Sequence, residues 1–188
     1  MNYCSVCGSD DLVCKVPEGD TKERIVCNTC GHIFYHNPKI VAGCILEWQQ
    51  RILLCKRAIE PRMNFWTVPA GFLENGESVM EGAAREAEEE ACAGSEDLVM
   101  HSFYNIRHVN QVYVLYRGTL KDGRYGVGQE SNDAMLCSEA EMPWEQIAFP
   151  VIKEGLRLYF EDRSRRAYGY HEGDIYRDND GQIQITRY

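Results

Sequence analysis

Four cysteines near the start of this chain constrain its folding more than any other feature. CSVC supplies Cys4 and Cys7, CNTC supplies Cys27 and Cys30, and nineteen residues separate the inner pair. Two C-x2-C knuckles at about this separation suit a tetrahedral site of four thiolates, the pattern of bound Zn²⁺. Gly8 and Gly31 follow the knuckles directly and permit the tight bends. RIVCNTCGHIFY reads as strand, knuckle, strand, so residues 1–36 are expected to form a zinc ribbon. A segment of roughly 30 residues buries too little apolar surface to fold alone, and the metal would supply the missing stability. A redox C-x-x-C or free core thiols would explain one knuckle but not two. His32 and His36 lie close by, but four cysteines already fill the site, so both read as surface residues.

The remaining chain is long enough for one ordinary domain with its own core, since the whole has 188 residues. Nine cysteines in a chain whose start, MNYCSVCGSD, has no apolar leader argue against a disulfide framework. The expected location is cytoplasmic. A net charge of −9 disfavours non-specific contact with nucleic acid or an anionic membrane. No apolar run approaches the ~18 residues of a membrane span.

HNPKI, residues 36–40, reads as a linker broken at Asn37-Pro38. IVAGCILEW and RILLCKRA read as strands with Gln49-Gln50 in the turn between them. NFWTVPAGFLENGES is a loop rich in Gly, Pro and aromatics. SVMEGAAREAEEEACA has helical composition with Ser78 as its cap. DLVMHSFYNI, NQVYVLYRGTL and AMLCS are strand candidates, and KDGRYGVGQESND is a polar loop. PWEQIAFPVIKEGLRLYFEDR reads as a turn and a helix. Residues 163–188 form a charged tail with little periodicity beyond a QIQITRY strand.

Residues 71–94, GFLENGESVMEGAAREAEEEACAG, hold seven glutamates and one basic residue, Arg85. On a helix, Glu86 and Glu90 are i, i+4 and share a face, with Glu89 flanking the same stripe. Val79, Met80, Ala83, Ala84, Ala87 and Ala91 form an apolar face beside it, and Glu81 and Glu88 fall toward solvent. Like charges at these spacings cost roughly 0.2–0.5 kcal/mol per pair. Arg85 offsets part of that, and a hard divalent cation would offset more, because such ions prefer carboxylate oxygens. The small alanines let the helix lie close to a sheet, and Gly82 leaves room for a ligand. An ordinary solvated acidic helix stays open on spacing alone.

Gly71, Glu77 and the run Arg85-Glu86-Ala87-Glu88-Glu89-Glu90 resemble the signature of the Nudix hydrolases, G-x5-E-x7-R-E-U-x-E-E-x-G-U, with U bulky and apolar. WTVPAG resembles the family's usual approach to this box. Two positions depart: Cys92 stands for Gly, and Ala87 is small for U. The missing Gly puts the helix exit in doubt, with Gly94 as the expected stop. A four-cysteine ribbon, an NPK-like linker and this box together resemble the branch that includes NADH pyrophosphatases. AIEPR, FWTVPAGFLENGES, the EEAC ending and EMPWEQIAFP resemble a sister group, the ADP-ribose or FAD pyrophosphatases. The NADH group's SQPWPFP-like motif is missing from the corresponding region, NIRHVNQVYVLY.

The resemblance implies an α/β (α+β) fold, a Nudix α/β/α sandwich around a mixed sheet over residues 37–162, preceded by the small zinc ribbon. It implies hydrolysis of the pyrophosphate bond of a nucleoside diphosphate linked to another group, ADP-ribose or FAD first and NAD(H) next, with Mg²⁺ or Mn²⁺. Glu86 and Glu90 match the family's main metal ligands, Glu89 an additional ligand or water-activating acid, and the backbone near Ala70 or Gly71 a further ligand. Glu77 and Arg85 match a structural ion pair. Glu130, ahead of Asp133, is the candidate for a separate catalytic base. Arg57, Arg62, Phe65, Trp66, Tyr104 and Arg107 flank the expected site loops, where aromatics can stack a base and Arg can hold phosphate. His101 and His108 are read as incidental. The expected partner is a nucleotide-linked small molecule, with a homodimer kept open. A sensor that binds such a nucleotide without cleaving it is the rival class, disfavoured by the intact glutamates.

Overall fold

The computed structural model describes residues 1–188, and the chain divides into two compact units, Met1–Asn37 and Pro38–Tyr188. In the first, β1 (Leu12–Lys15), β2 (Arg24–Cys27) and β3 (Ile33–Phe34) form an antiparallel sheet in that order. Gly8 and Gly31 take φ of +76° and +74° and close the two knuckles, donating to the Cys4 and Cys27 carbonyls at 2.9 and 2.8 Å. Cys4, Cys27 and Phe34 make a minimal core, with Leu12 and Ile25 against it.

The second unit is built on one nine-stranded mixed sheet. Its elements are β4 (Lys39–Trp48), β5 (Arg51–Arg57), β6 (Trp66–Thr67), β7 (Ala70–Phe72), α1 (Val79–Ala91), β8 (Ser95–Ile106), β9 (Gln111–Leu120), β10 (Ser131–Cys137), α2 (Pro150–Arg165), β11 (His171–Arg177) and β12 (Ile183–Arg187). The order is β10-β5-β4-β9-β8-β11-β12, with β6 on β5 and β7 on β4. The pairs β4/β9 and β8/β11 are parallel and the others antiparallel. Gln49 and Gln50, both at positive φ, make the two-residue turn between β4 and β5.

Period-2 alternation assigns each strand two faces. Ala42, Cys44 and Leu46 pack with Leu53, Cys55 and the alanines of α1. Ile45, Ile52 and Leu54 point the other way, into a larger core closed by Val151, Ile152 and Leu156 of α2. The result is the α/β/α sandwich with a mixed sheet. No helix is long and apolar enough to cross a membrane.

Ser78 caps α1 in a reciprocal box with Glu81, each side chain bonding the other's backbone N–H. Glu81 therefore closes the helix start and is not a merely solubilising charge. Met80, expected on the apolar face, is exposed. The helix does not end at Gly94. Cys92 itself takes the left-handed position, φ 47° and ψ 38°; its N–H donates to the Glu88 carbonyl at 2.9 Å and the Ala93 N–H to the Ala87 carbonyl at 3.1 Å. The missing Gly is thus tolerated rather than replaced by a later one.

Residues 163–188, left unassigned by periodicity, complete the sheet. β11 runs parallel to β8, and β12 forms the edge. Gly173 explains the lost signal: it occupies a buried strand position, where any Cβ would overlap the Thr186 carbonyl. Arg187 Nε donates to buried Glu154 Oε1 at 2.6 Å and ties the end of the chain to α2.

A non-Gly residue at an αL position costs roughly 1–2 kcal/mol. Cys92→Gly is expected to stabilise the fold by about 1 kcal/mol, measured by urea denaturation. An unchanged midpoint would show that Cys92 recovers the cost through its side-chain contacts.

Candidate active site

The glutamates of α1 are sorted by the sheet beneath them. Glu86 and Glu90 are buried, at 8% and 5% exposure, whereas the side chain of Glu89 stays 59% exposed. Gly71 on β7 lies under Glu86, and a Cβ there would overlap the Glu86 carboxylate. Glu90 reaches the same strand and accepts the Ala70 N–H at 3.0 Å. Cys44 Sγ lies 3.4 Å from the Ala83 carbonyl oxygen, so small side chains on both surfaces let helix and sheet approach.

Arg85 holds this arrangement together. Its Nε and Nη2 donate to the two oxygens of Glu77 at 3.0 and 2.8 Å. Its Nη1 donates to Glu86 and Glu89, each at 2.8 Å, and Nη2 also reaches the Phe72 carbonyl at 3.0 Å. Glu77 accepts the Glu74 N–H as well. The Arg85 guanidinium, ahead of that N–H, lowers the Glu77 carboxyl to about 2. Glu86 and Glu89 are drawn onto Arg85, so their oxygens do not gather with those of Glu90 within 4.8 Å as the four cysteine sulfurs do. Burial raises the pKa of Glu86 and pushes Glu90 up to about 7, the latter despite the Ala70 N–H and with Glu86 and Glu130 repelling it.

These side chains line a cleft of ≈ 870 Å³, to which Gly71, Arg85, Glu86, Glu89, Glu90 and Glu130 all contribute. Glu130 arrives on a loop latched to the end of α1. Gly126 N–H donates to the Ala91 carbonyl at 2.6 Å and Gly128 N–H to the Glu90 carbonyl at 3.0 Å. A Cβ at Gly128 would overlap the Glu89 carbonyl, so only glycine lets the loop lie this close. Asp133, the other candidate base, is outside the cleft and accepts the Ala134 N–H.

The flanking residues divide. Arg57 lines the cleft, its Nε held by the Pro61 carbonyl at 2.9 Å and its guanidinium 5.1 Å from the Phe149 ring centroid. His108 lines it too. Tyr104 does not: it is fully buried and donates to Glu154 at 3.3 Å. Trp66 belongs to the core, Arg62 lies over Phe65, and Arg107 is exposed beside Asp174. Sequence reasoning missed Phe149, Pro150, Tyr113 and Ile175, which line the cleft. Only the aromatic-proline pair that opens α2, Phe149 as its cap and Pro150 as its first residue, could have signalled them.

Both sets of donors suit a metal. Glu86, Glu89 and Glu90 offer carboxylate oxygens for a hard divalent ion, with two of them buried and repelling one another. Cys4, Cys7, Cys27 and Cys30 bring four sulfurs within 4.8 Å, with Sγ separations of 3.7 Å for Cys4–Cys30 and 3.6 Å for Cys7–Cys27. The Cys30 N–H bonded to Cys27 lowers that thiol to about 7, whereas burial and the neighbouring sulfurs raise Cys7 and Cys30; a bound cation would favour the thiolate in all four.

Comparison with known proteins follows this division. Residues 2–36 match the family described as Nudix N-terminal, a zinc ribbon, and residues 37–158 match the NUDIX domain. A NUDIX hydrolase structure from Nitrosomonas europaea is 44% identical, with a TM-score of 0.90 over 94% of this chain and 100% of that one. The NAD-capped RNA hydrolase NudC of Photobacterium profundum is 27% identical over 76% of this chain. An ADP-ribose pyrophosphatase of Methanocaldococcus jannaschii is 39% identical over 30% of it. The chain spans 52% and 33% of the lengths of these two curated relatives.

The raised pKa of Glu90 has a measurable consequence. Between the ordinary value of 4.5 and about 7 the folded chain holds a proton that the unfolded chain has released. Stability conferred by the protonated form is therefore present below pH 4.5 and lost as pH rises toward 7. Without added divalent ions, wild type is expected to lose on the order of 1–3 kcal/mol relative to Glu90→Gln across that window. Added Mg²⁺ should restore it in wild type alone. Parallel pH-stability curves for the two proteins would expose the account as wrong.

Proposed function

The chain belongs to the NUDIX domain family, and on that premise we propose that it hydrolyses the pyrophosphate bond of ADP-ribose or FAD. Its general class is that of a Nudix pyrophosphohydrolase. The observation that carries the reading is the one cleft in which Glu86, Glu89 and Glu90 face Glu130, with Arg57, Tyr113 and Phe149 alongside.

The chemical difficulty is electrostatic. A water must approach a phosphorus whose oxygens are already anionic, and negative charge grows on the leaving phosphate. Divalent ions bound by such carboxylates neutralise the phosphate oxygens and lower the pKa of a bound water. Glu86 and Glu90 are the proposed ligands, fixed by their burial against Gly71 and Ala70. Glu89, more exposed, is the adjustable third ligand. The backbone at Gly71 lies beside Glu86, which suits it as a further ligand. Glu130 is the proposed general base, because it lines the cleft close enough to Glu86 and Glu90 to raise the pKa of both, while its loop is fixed to the helix end. Arg57 offers a cation for a substrate phosphate, and Phe149 and Tyr113 offer apolar faces for the base or its partner group.

Two features favour ADP-ribose or FAD over NADH: the AIEPR and EMPWEQIAFP segments, and the missing SQPWPFP-like motif. Arg57 and Phe149, which flank or lie in the first pair, both line the cleft. The NudC relative keeps NAD-linked substrates as the second reading.

A panel of ADP-ribose, FAD, NADH, CoA and capped dinucleotides, assayed for AMP release with Mg²⁺ and with Mn²⁺, tests the proposal. ADP-ribose or FAD should be cleaved with the highest kcat/KM. Glu90→Gln should lose most turnover, and Glu130→Gln should fall about 10²–10⁴-fold in kcat, the span of general acid–base catalysis. Cleavage of none of them would favour a nucleotide sensor. Full activity in Glu130→Gln would remove that residue as the base.

A further inference from the structure

We propose that His101, Asp162 and His171 form a second metal site in the Pro38–Tyr188 unit, separate from the cleft, for a late first-row divalent ion of the zinc type. Three elements supply it: β8 gives His101, α2 gives Asp162, and the first residue of β11 gives His171. The parallel register pairs His171 with Ser102, the neighbour of His101. One potential ligand atom from each lies within 4.8 Å of the others. None of the three lines the cleft.

The decisive residue is His101, which is 0% exposed. Its Nε2 lies 3.1 Å from the Gly155 carbonyl oxygen. A carbonyl can only accept, so Nε2 carries the proton and Nδ1 keeps a lone pair. That Nδ1 is buried without a hydrogen-bond partner. Metal-ligating histidines have this same second bond, in which the non-ligating nitrogen donates to a backbone carbonyl and fixes the tautomer. Asp162 is held in the same way, since its Oδ2 accepts the Gly169 N–H at 3.0 Å and lies 2.8 Å from His171 Nε2. A simple His171–Asp162 ion pair accounts for the last distance but leaves the lone pair of His101 unused.

The neighbouring charge selects the ion. Arg117 lies near enough to His101 to oppose a positive charge there, and its guanidinium sits 4.3 Å from the Tyr168 ring centroid. One carboxylate against one guanidinium offers little net attraction for Mg²⁺ or Ca²⁺. An ion that bonds strongly to imidazole nitrogen gains where a hard ion does not. Such an ion would staple β11 to α2 and β8, and β11 carries Ile175 into the cleft wall.

The test uses the full chain, exchanged with Zn²⁺ and dialysed against excess Mg²⁺ to protect the acidic cleft. Elemental analysis should find about two zinc ions per wild-type chain and about one in His171→Ala. Cadmium NMR of the exchanged protein identifies each site by its donors. One thiolate-ligated and one nitrogen/oxygen-ligated signal are expected, the second lost in His171→Ala and weakened in His171→Gln. The proposal is overturned if wild type shows no nitrogen/oxygen-ligated signal, or if that signal survives His171→Ala. Because the wild-type spectrum decides by itself, poor folding of a variant does not rescue the idea.

Discussion

Five hydrogen bonds from one guanidinium organise this molecule's cleft. Arg85 joins Glu77 before α1, Glu86 and Glu89 upon it, and the Phe72 carbonyl on the strand beneath. Without it three carboxylates would repel one another across a helix face that is partly dry. With it, the helix is fixed to β7 at the point where Gly71 admits the Glu86 carboxylate. The planar fork of arginine suits this role, and a lysine, with three donors, could not satisfy three carboxylates and a carbonyl in the same geometry.

Close approach is the second constraint, and small residues make it. Ala83 and Ala87 meet Ala42 and Cys44 across the helix–sheet interface. Gly128 lets the Glu130 loop rest on the last carbonyls of α1. Glu130 and the acids of α1 are thereby tied to one rigid element. Burial, rather than any ion pair, is what raises Glu90 and Glu86, so the site stores unfavourable electrostatic energy that a cation would relieve.

Much of the fold could be read from local chemistry. The helix over residues 79–91 announces itself through Ser78, Glu81 and the alanine stripe. The knuckles are legible because glycine must follow each one. The strands before and after the box show plain alternation. Of the tail only the last strand was legible, QIQITRY becoming β12; β11 was not, because it places Gly173 where a buried apolar side chain would have marked the period, and its charged residues read as solvated chain. The helix stop was misread for a related reason: Cys92 adopts a backbone conformation that composition assigns to glycine. Within the cleft, Phe149 and Ile175 come from segments distant in sequence, and only the sheet order brings them together. Tyr104 shows the converse: it shares a strand face with Ile106, which lines the cleft, but is itself fully buried in the core and donates to Glu154.

The central proposal is that the α1 carboxylates, positioned by Arg85 and by the strand beneath, take up a cation once Glu86 turns from Arg85. The direct measurement is an anomalous difference map from crystals soaked in Mn²⁺ with an uncleavable ADP-ribose analogue. The account predicts manganese density beside Glu86 and Glu90, with Glu86 released from Arg85 and the analogue bound in the same cleft. Glu86 and Glu89 still bonded to Arg85, with the analogue bound and no manganese between the carboxylates, would contradict it.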